Sequence, residues 1–589
     1  MITKKTINIV LMILVCGFLL PLSACKGDGQ SNSVTQSIKN KDYFIIATTS
    51  DIATLDPAFA YDTASAGQIE NIYETLIEFS STSTSEFIPL LATEWDISKD
   101  GLTYRFKIRE DVYFHNENLL TPEDVEYSFE RGMVHDYSLG PQWMFFEPLF
   151  GLGTYSSRTD DGLIPLDMIE NKVEVDGQWV QFNLATPYEP FLQILASSWG
   201  SIVDMDWCIE NGDWNGTQES YEALNNPPPG GSPIHSIANG TGPFMLDYWQ
   251  PAIEISLLRN NNYWGEPASF KKVITKIVDE WSLRKLMLEL GDIDCAVVPS
   301  VFIQEIKEME GIVAYENVPT LLNQAFFFQF EIDPTSTLVG SGQLDGKGIP
   351  FNFFSDINVR KGFAYAFDWD TYINEAMSGY GQQIASPIVE GVPYYNEDWL
   401  KYELDLGKAE NYLKEAWDGR VWENGFEVTL VYAAGDITGK IACEILQNNL
   451  FKINPLFKIN IQLMSWPNIL DNMVFGRLPM YLNGWTADYP DPHNFVFPYM
   501  HSNGTFAQWQ RYSNKVVDDL IEKAVASVDP SERQLLYNQI AELYYEEVPS
   551  IMISQNLGVY FFRDWIQGFV YNPIRPVYEM YAYYLNKGY

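Results

Sequence analysis

From Tyr43 onward the hydrophobic pattern of this chain keeps switching between a period of two and a period near 3.6. That alternation restricts the fold more than any other feature. Phe44-Ile45-Ile46-Ala47 is a short apolar run of the kind a buried strand requires, and the turn Leu55-Asp56-Pro57 follows it. Ile69, Ile72, Tyr73, Leu76 and Ile77 recur at spacings of three and four, which predicts a helix over Gln68 to Phe79. Tyr104, Phe106 and Ile108 then alternate with Arg105, Lys107 and Arg109, the pattern of a half-buried strand. Thr121-Pro122-Glu123-Asp124 supplies a capping residue, a proline at the first helical position and two acids in the first turn, opening a helix through Phe129. A strand at Val273–Asp279 precedes a helix at Ser282–Leu290, stopped by Gly291. Amphipathic stretches at Asn358–Phe367, Lys408–Trp417, Ile441–Phe451 and Ser531–Glu546 predict helices, with a strand at Glu427–Tyr432 among them. The triple proline within Asn225–Gly231 marks a loop, and Gly151-Leu152-Gly153 a turn. Strands interleaved with helices point to α/β or α+β domains, and the 565 residues that follow Ala24 are too many for one hydrophobic core.

The N-terminal residues read as an export signal. Lys4 and Lys5 form a positive flank, Ile7 to Leu20 is apolar, and the segment ends at Leu22-Ser23-Ala24-Cys25. It is too short and wrongly flanked for a spanning helix. Leu22–Cys25 resembles the bacterial lipobox, which implies cleavage before Cys25 and lipidation of that cysteine. Lys26 to Lys41 is poor in apolar residues and suits a flexible tether. Cys208, Cys295 and Cys443 are widely spaced, odd in number and set among apolar neighbours, so they encode neither a disulfide framework nor a metal site.

A hydrophobic content of 46 % excludes a disordered chain. The 37 Lys and Arg against 78 Asp and Glu leave a net charge of −41, and −43 once Lys4 and Lys5 depart with the signal. Nucleic acid and anionic headgroups would repel such a body, whereas a cationic ligand would be drawn in. No catalytic signature is present. The five histidines fall at no metal-ligand spacing, and there is neither a phosphate-binding glycine loop nor a nucleophile elbow. Glu123 and Asp124 belong to a helix start. His493 and His501 read as surface or packing residues. No cofactor and no metal is expected.

Whole segments carry a resemblance. Pro89 to Trp95, Asp100 to Arg109, Val112 to His115 and Thr121 to Val125 follow one another as in the family 5 solute-binding proteins, the oligopeptide and dipeptide receptors of ABC importers. Leu55-Asp56-Pro57, Gly240-Thr241-Gly242-Pro243-Phe244, Leu290-Gly291-Asp292-Ile293-Asp294, Val359 to Asp368 and Gly484 to Pro492 continue the match in the family's order, from about Tyr43 to about Ile553. The resemblance implies an α/β clamshell of two lobes, large and of type II, with an extra α/β domain, closing over ligand by hinge motion. It places a signal peptide at 1–24, a tether at 25–42, and lobe I at 43–80, 187–303 and 553–589. The extra domain is expected at 81–186 and lobe III at 304–552. The implied role is extracytoplasmic capture of peptides for a membrane permease, by a monomer anchored through Cys25 that performs no catalysis and binds no nucleic acid. An oligosaccharide receptor is the alternative, since 17 tryptophans and 35 tyrosines suit stacking on sugars.

The same resemblance assigns site residues. Asp488 stands where peptide binders hold the aspartate for the ligand's amino terminus; by itself it also reads as a turn residue within Ala487 to Pro492. Trp485 and Trp466 match pocket tryptophans, or fill core. Tyr61-Asp62-Thr63 aligns with a segment that pairs to the ligand backbone, making Tyr61 and Thr63 candidates. Lys440 lies near the place of an arginine for the ligand's carboxylate, although its own context is that of a solvated lysine at a helix start. Met473 and Leu482 replace arginines that some oligopeptide binders use, so no fixed ligand length is implied.

Overall fold

The computed structural model describes residues 38–575 and 581–588. The signal, Cys25 and all but the last few tether residues lie outside the described residues. Tyr43–Thr48 is buried along all but its first residue. It pairs in parallel with Lys272–Ile277 on one side and Cys295–Ala296 on the other, which is why its apolar run is unbroken. The sheet extends outward through Glu254–Arg259 to Phe244–Gln250. In the other direction it continues through Ser550–Arg563, Ile312–Phe328, Met480–Thr486 and Phe426–Ala433 to Phe457–Met464, eleven strands in all with Gly381–Gln382 at the side.

Two of these strands join the lobes. Ile312–Phe328 has 17 residues and Ser550–Arg563 has 14. At about 3.4 Å per residue the longer one runs roughly 55 Å, enough to belong to both lobes. One end of the pair, Ile312 against Arg563, lies beside Cys295–Ala296; the other, Phe327 against Ser550, lies beside Met480–Thr486. Between the ends the register shifts at Tyr315/Val318, Pro319/Asn323 and Gln324/Ala325. Pro319 has no N–H to donate, and Val318 faces Gly558, so the ladder is weakest where the chain passes between lobes. The result is a two-lobed clamshell with its hinge in the sheet.

Alternation along the strand builds two cores in the second lobe. Phe326 and Phe328 enter one cluster with Phe363 and Phe426, while Ala325 and Phe327 enter another with Tyr481, Tyr499 and Tyr537. A separate cluster of Ile45, Ala47, Leu288, Ile293 and Phe561 packs the first lobe. A distinct four-stranded sheet holds Ala92–Ile97, Thr103–Ile108, Trp179–Asn183 and Val173–Asp176 in that order, with Tyr104, Phe106 and Ile108 buried. The helix Pro122–His135 packs on it, with Phe129 edge-on to Phe182 at 4.8 Å. Its start is the expected cap. Asp124 accepts from the Thr121 N–H at 2.8 Å and the Thr121 hydroxyl at 2.9 Å.

One element differs from expectation. The helix predicted over Gln68 to Phe79 is instead Thr63–Ile72, and Ile77–Phe79 is a strand paired with Phe87–Pro89. The five apolar residues are all buried, so the spacing marked burial correctly but not conformation. Carbonyls that a longer helix would use internally are taken by other segments. Gly242 donates to Ile72, Ile202 to Glu74 and Ala92 to Leu76. His493 and His501 are both buried, so they are packing residues rather than surface ones. Cys208, Cys295 and Cys443 are buried free thiols. Among the described residues no helix is long and apolar enough to cross a membrane, and no group of His, Cys, Asp and Glu could hold a metal ion.

Candidate ligand-binding site

The hinge strands floor a cavity of about 700 Å³ between the lobes, through Thr320, Leu321 and Leu322 on one strand and Asn556 to Tyr560 on the other. One wall is the start of the helix Thr63–Ile72, which presents Thr63, Ala66 and Glu70 at spacings of three and four. Trp199 and the Val298–Ile303 segment continue that wall. Opposite it stand Met377, Tyr380, Ile437, Thr438 and the segment Thr486 to Asp488. Aliphatic and aromatic surface dominates, with hydroxyl, amide and charged groups interspersed, a character that suits a small-ligand site.

Asp488 is 9 % exposed and sits at the seam of the two lobes. Its Oδ1 accepts from the Tyr61 hydroxyl at 2.7 Å, a contact that reaches across the cleft. Its Oδ2 accepts from Asn494 Nδ2 at 3.1 Å, while the Asn494 side-chain oxygen takes the Asp488 N–H at 2.9 Å. Asn494 thus fixes both the backbone and the carboxylate of the turn. Burial pushes the Asp488 carboxyl up to about 6, against the opposing pull of the Tyr61 and Asn494 hydrogen bonds, and no cation contributes. A buried carboxylate held by two neutral donors is under-compensated, and it would gain most from a positive charge arriving with a ligand. Tyr61 is itself positioned by the Trp143 indole N–H at 3.3 Å and an edge contact with Trp199. Asp62 caps the wall helix through Ser65 N at 2.8 Å, leaving its Oδ2 buried without a hydrogen bond among the described residues.

Of the residues singled out in the sequence, the cavity brings together Asp488, Tyr61 and Thr63. Trp485 stands behind the lining: its indole N–H donates to Asn494 Oδ1 at 2.9 Å and its ring meets Phe506 edge-on. Trp466 is 49 % exposed at the start of the helix Trp466–Val474 and is not among the residues that line the cavity. Lys440 also lies outside the lining and pairs with Glu444 at 3.3 Å, four residues along its own helix. Met473 and Leu482 are buried in the two cores of the second lobe. Sequence reasoning missed Asn494, Trp199, Glu70 and Arg575. Asn494 carried a signal, being six residues past Asp488 in the same turn-rich segment. Arg575 carried none, since only the returning C-terminal chain brings it to the cavity.

The model of the bacterial extracellular solute-binding proteins, family 5 Middle, matches residues 86–507. The chain is 25 % identical over 540 residues to the probable D,D-dipeptide-binding periplasmic protein DdpA of Escherichia coli, covering 91 % of this chain and 92 % of that protein. It is 25 % identical over 570 residues to the heme-binding protein A of Haemophilus influenzae, covering 94 % and 95 %. Its structure is similar to that of the ABC transporter-associated periplasmic binding protein DppA of Helicobacter pylori in complex with the peptide STSA. That match has a TM-score of 0.69 and 24 % identity over 92 % of this chain and 98 % of the other.

Proposed function

The chain belongs to the family 5 bacterial extracellular solute-binding proteins, and from that premise we propose that it captures short peptides between its lobes and delivers them to an ABC permease. The observation that carries this reading is Asp488, buried at the seam of the cavity and held by Tyr61 and Asn494 with no cation. A peptide's α-ammonium supplies the missing charge and donors that satisfy the carboxylate further, and a closed, water-poor cleft strengthens that pair. Relatives named for dipeptides and a similar structure holding a peptide support the same ligand class. Tyr61 and Thr63 are read as further ligand contacts on the same wall, and the site as a binding site without turnover.

The division into lobe I at 43–80, 187–303 and 553–589, the extra domain at 81–186 and lobe III at 304–552 belongs to the same proposal. It draws support from the sheet, in which Tyr43–Thr48, Lys272–Ile277 and part of Ser550–Arg563 lie together. Anchoring through lipid on Cys25 and action as a monomer complete it, and rest on the sequence. Mass spectrometry of small molecules released by denaturing the freshly purified protein tests the ligand class. Peptides in stoichiometric amount are expected; an oligosaccharide or a heme in their place would overturn the reading.

A further inference from the structure

The cavity is not electrically balanced. Among the described residues, its charged lining consists of Asp62, Glu70 and Asp488 against one cation, Arg575. That cation is already committed. Arg575 Nε lies 3.5 Å from Glu70 Oε2, and its Nη2 lies 3.5 Å from Glu78 Oε2. With both carboxylates ionised, the Glu70–Arg575–Glu78 group carries two negative charges against one positive. Glu70 Oε2 is buried and has no hydrogen-bond partner among the described residues, so the long contact to Arg575 does not satisfy it. Burial pushes the Glu70 carboxyl up to about 7; Arg575 opposes the rise and Glu78 adds to it.

The two acidic ends are set apart by one helix. Tyr61, which holds Asp488, immediately precedes the capping residue, and Glu70 lies near the far end of the same helix. The seven residues from Thr63 to Glu70 advance ~10 Å along the axis. Leu321, Met377, Ile574 and Tyr571 give the cavity lining apolar and aromatic surface. Such walls accommodate the methylene stem of a long basic side chain and leave its charged head at a carboxylate.

We propose that the cavity selects ligands carrying two positive charges: an α-ammonium at Asp488 and a lysine- or arginine-type cation at Glu70. The inference rests on the peptide-capture reading and narrows it to basic peptides. Among the described residues a ligand carboxylate has no uncommitted cation in the lining to meet, so the far end of the peptide contributes little to recognition.

Calorimetry with Ala-Lys-Ala, Ala-norleucine-Ala and Ala-Glu-Ala, all amidated at the carboxyl end, tests it. Wild-type protein is expected to bind the lysine peptide roughly tenfold more tightly than its uncharged isostere, the order of one charge pair in a partly solvated cleft. Glu70→Gln should bring that ratio close to one, and Glu70→Asp should retain part of it. Equal wild-type affinity for the lysine and norleucine peptides overturns the inference and leaves peptide capture standing, and it needs no variant to fold. Tightest binding of the glutamate peptide also overturns it, in favour of Arg575 as an anion site. If no peptide binds, peptide capture fails, and spermidine decides the rest. Spermidine binding weakened by Glu70→Gln sustains a two-cation site, and no spermidine binding removes it.

Discussion

At Asp488 one carboxylate, two neutral hydrogen bonds and the loss of water set a chemical preference. With its carboxyl raised to about 6 by burial, the free site is part protonated in mild acid. A cation binds only the ionised form, so affinity is highest above pH 6 and falls as pH drops through it. At pH 5 the ionised fraction is about one tenth, and a peptide with a free amino terminus should bind roughly tenfold more weakly than at pH 8. An amino-acetylated peptide should show little of this slope, and titration calorimetry at the two pH values reads the difference. Asp488 and Tyr61 each sit in a local motif whose order along the chain is that of the family, and both line the cavity. Trp466 and Lys440, assigned through the same alignment, are not among the residues that line the cavity, and Lys440 pairs along its own helix as its solvated context suggested. Neither spacing nor type distinguishes a tryptophan on a lining from one on a surface helix. Glu70 and Arg575 were illegible for a further reason. They meet only because the chain returns after some five hundred residues.

Elements were read best where local chemistry and tertiary packing agree. The capping sequence Thr121–Asp124 predicted its helix, and Asp124 does more than the sequence disclosed, since it also accepts from the Met205 N–H at 2.9 Å. Asp124→Ala strands these buried donors and should lower stability by about 2–3 kcal/mol, whereas Glu123→Ala, on the exposed side of the same turn, should change it by less than about 0.5 kcal/mol. Urea midpoints of the two variants check the contrast. The stretch from Gln68 to Phe79 was misread because its carbonyls bond to Gly242, Ile202 and Ala92, partners no local rule supplies. A similar long-range dependence holds Arg533, which is fully buried between Asp491 at 2.9 Å and Glu189. Arg533→Met leaves Asp491 buried without its ion pair. The expected loss is about 3–5 kcal/mol, seen as an earlier unfolding midpoint.

For the whole molecule, the clamshell follows from one sheet shared by two lobes, with its weakest ladder at Pro319 and Gly558 and its cavity directly above. Contacts that cross the cleft, Tyr61 to Asp488 and Tyr188 to Tyr489 at 3.2 Å, belong to the closed form, so ligand charge and lobe closure act on the same residues. In the proposed function this body works outside the cytoplasm, and lipid on Cys25 holds it near a permease. Cys25→Ala should move the folded protein from the membrane fraction to the medium or periplasm, as read by fractionation and circular dichroism; a variant that stays on the membrane contradicts the anchor. The central claim, that Asp488 takes the α-ammonium of a captured peptide, is tested most directly by a calorimetric cycle. Wild type and Asp488→Ala are each titrated with one peptide in free and amino-acetylated form. The account predicts that the substitution costs the free peptide about 2–5 kcal/mol, thirtyfold or more in Kd, because it leaves an ammonium unpaired in a closed cleft, and costs the acetylated peptide little. An equal loss for both peptides would contradict it, and would reduce Asp488 to a residue that shapes its turn.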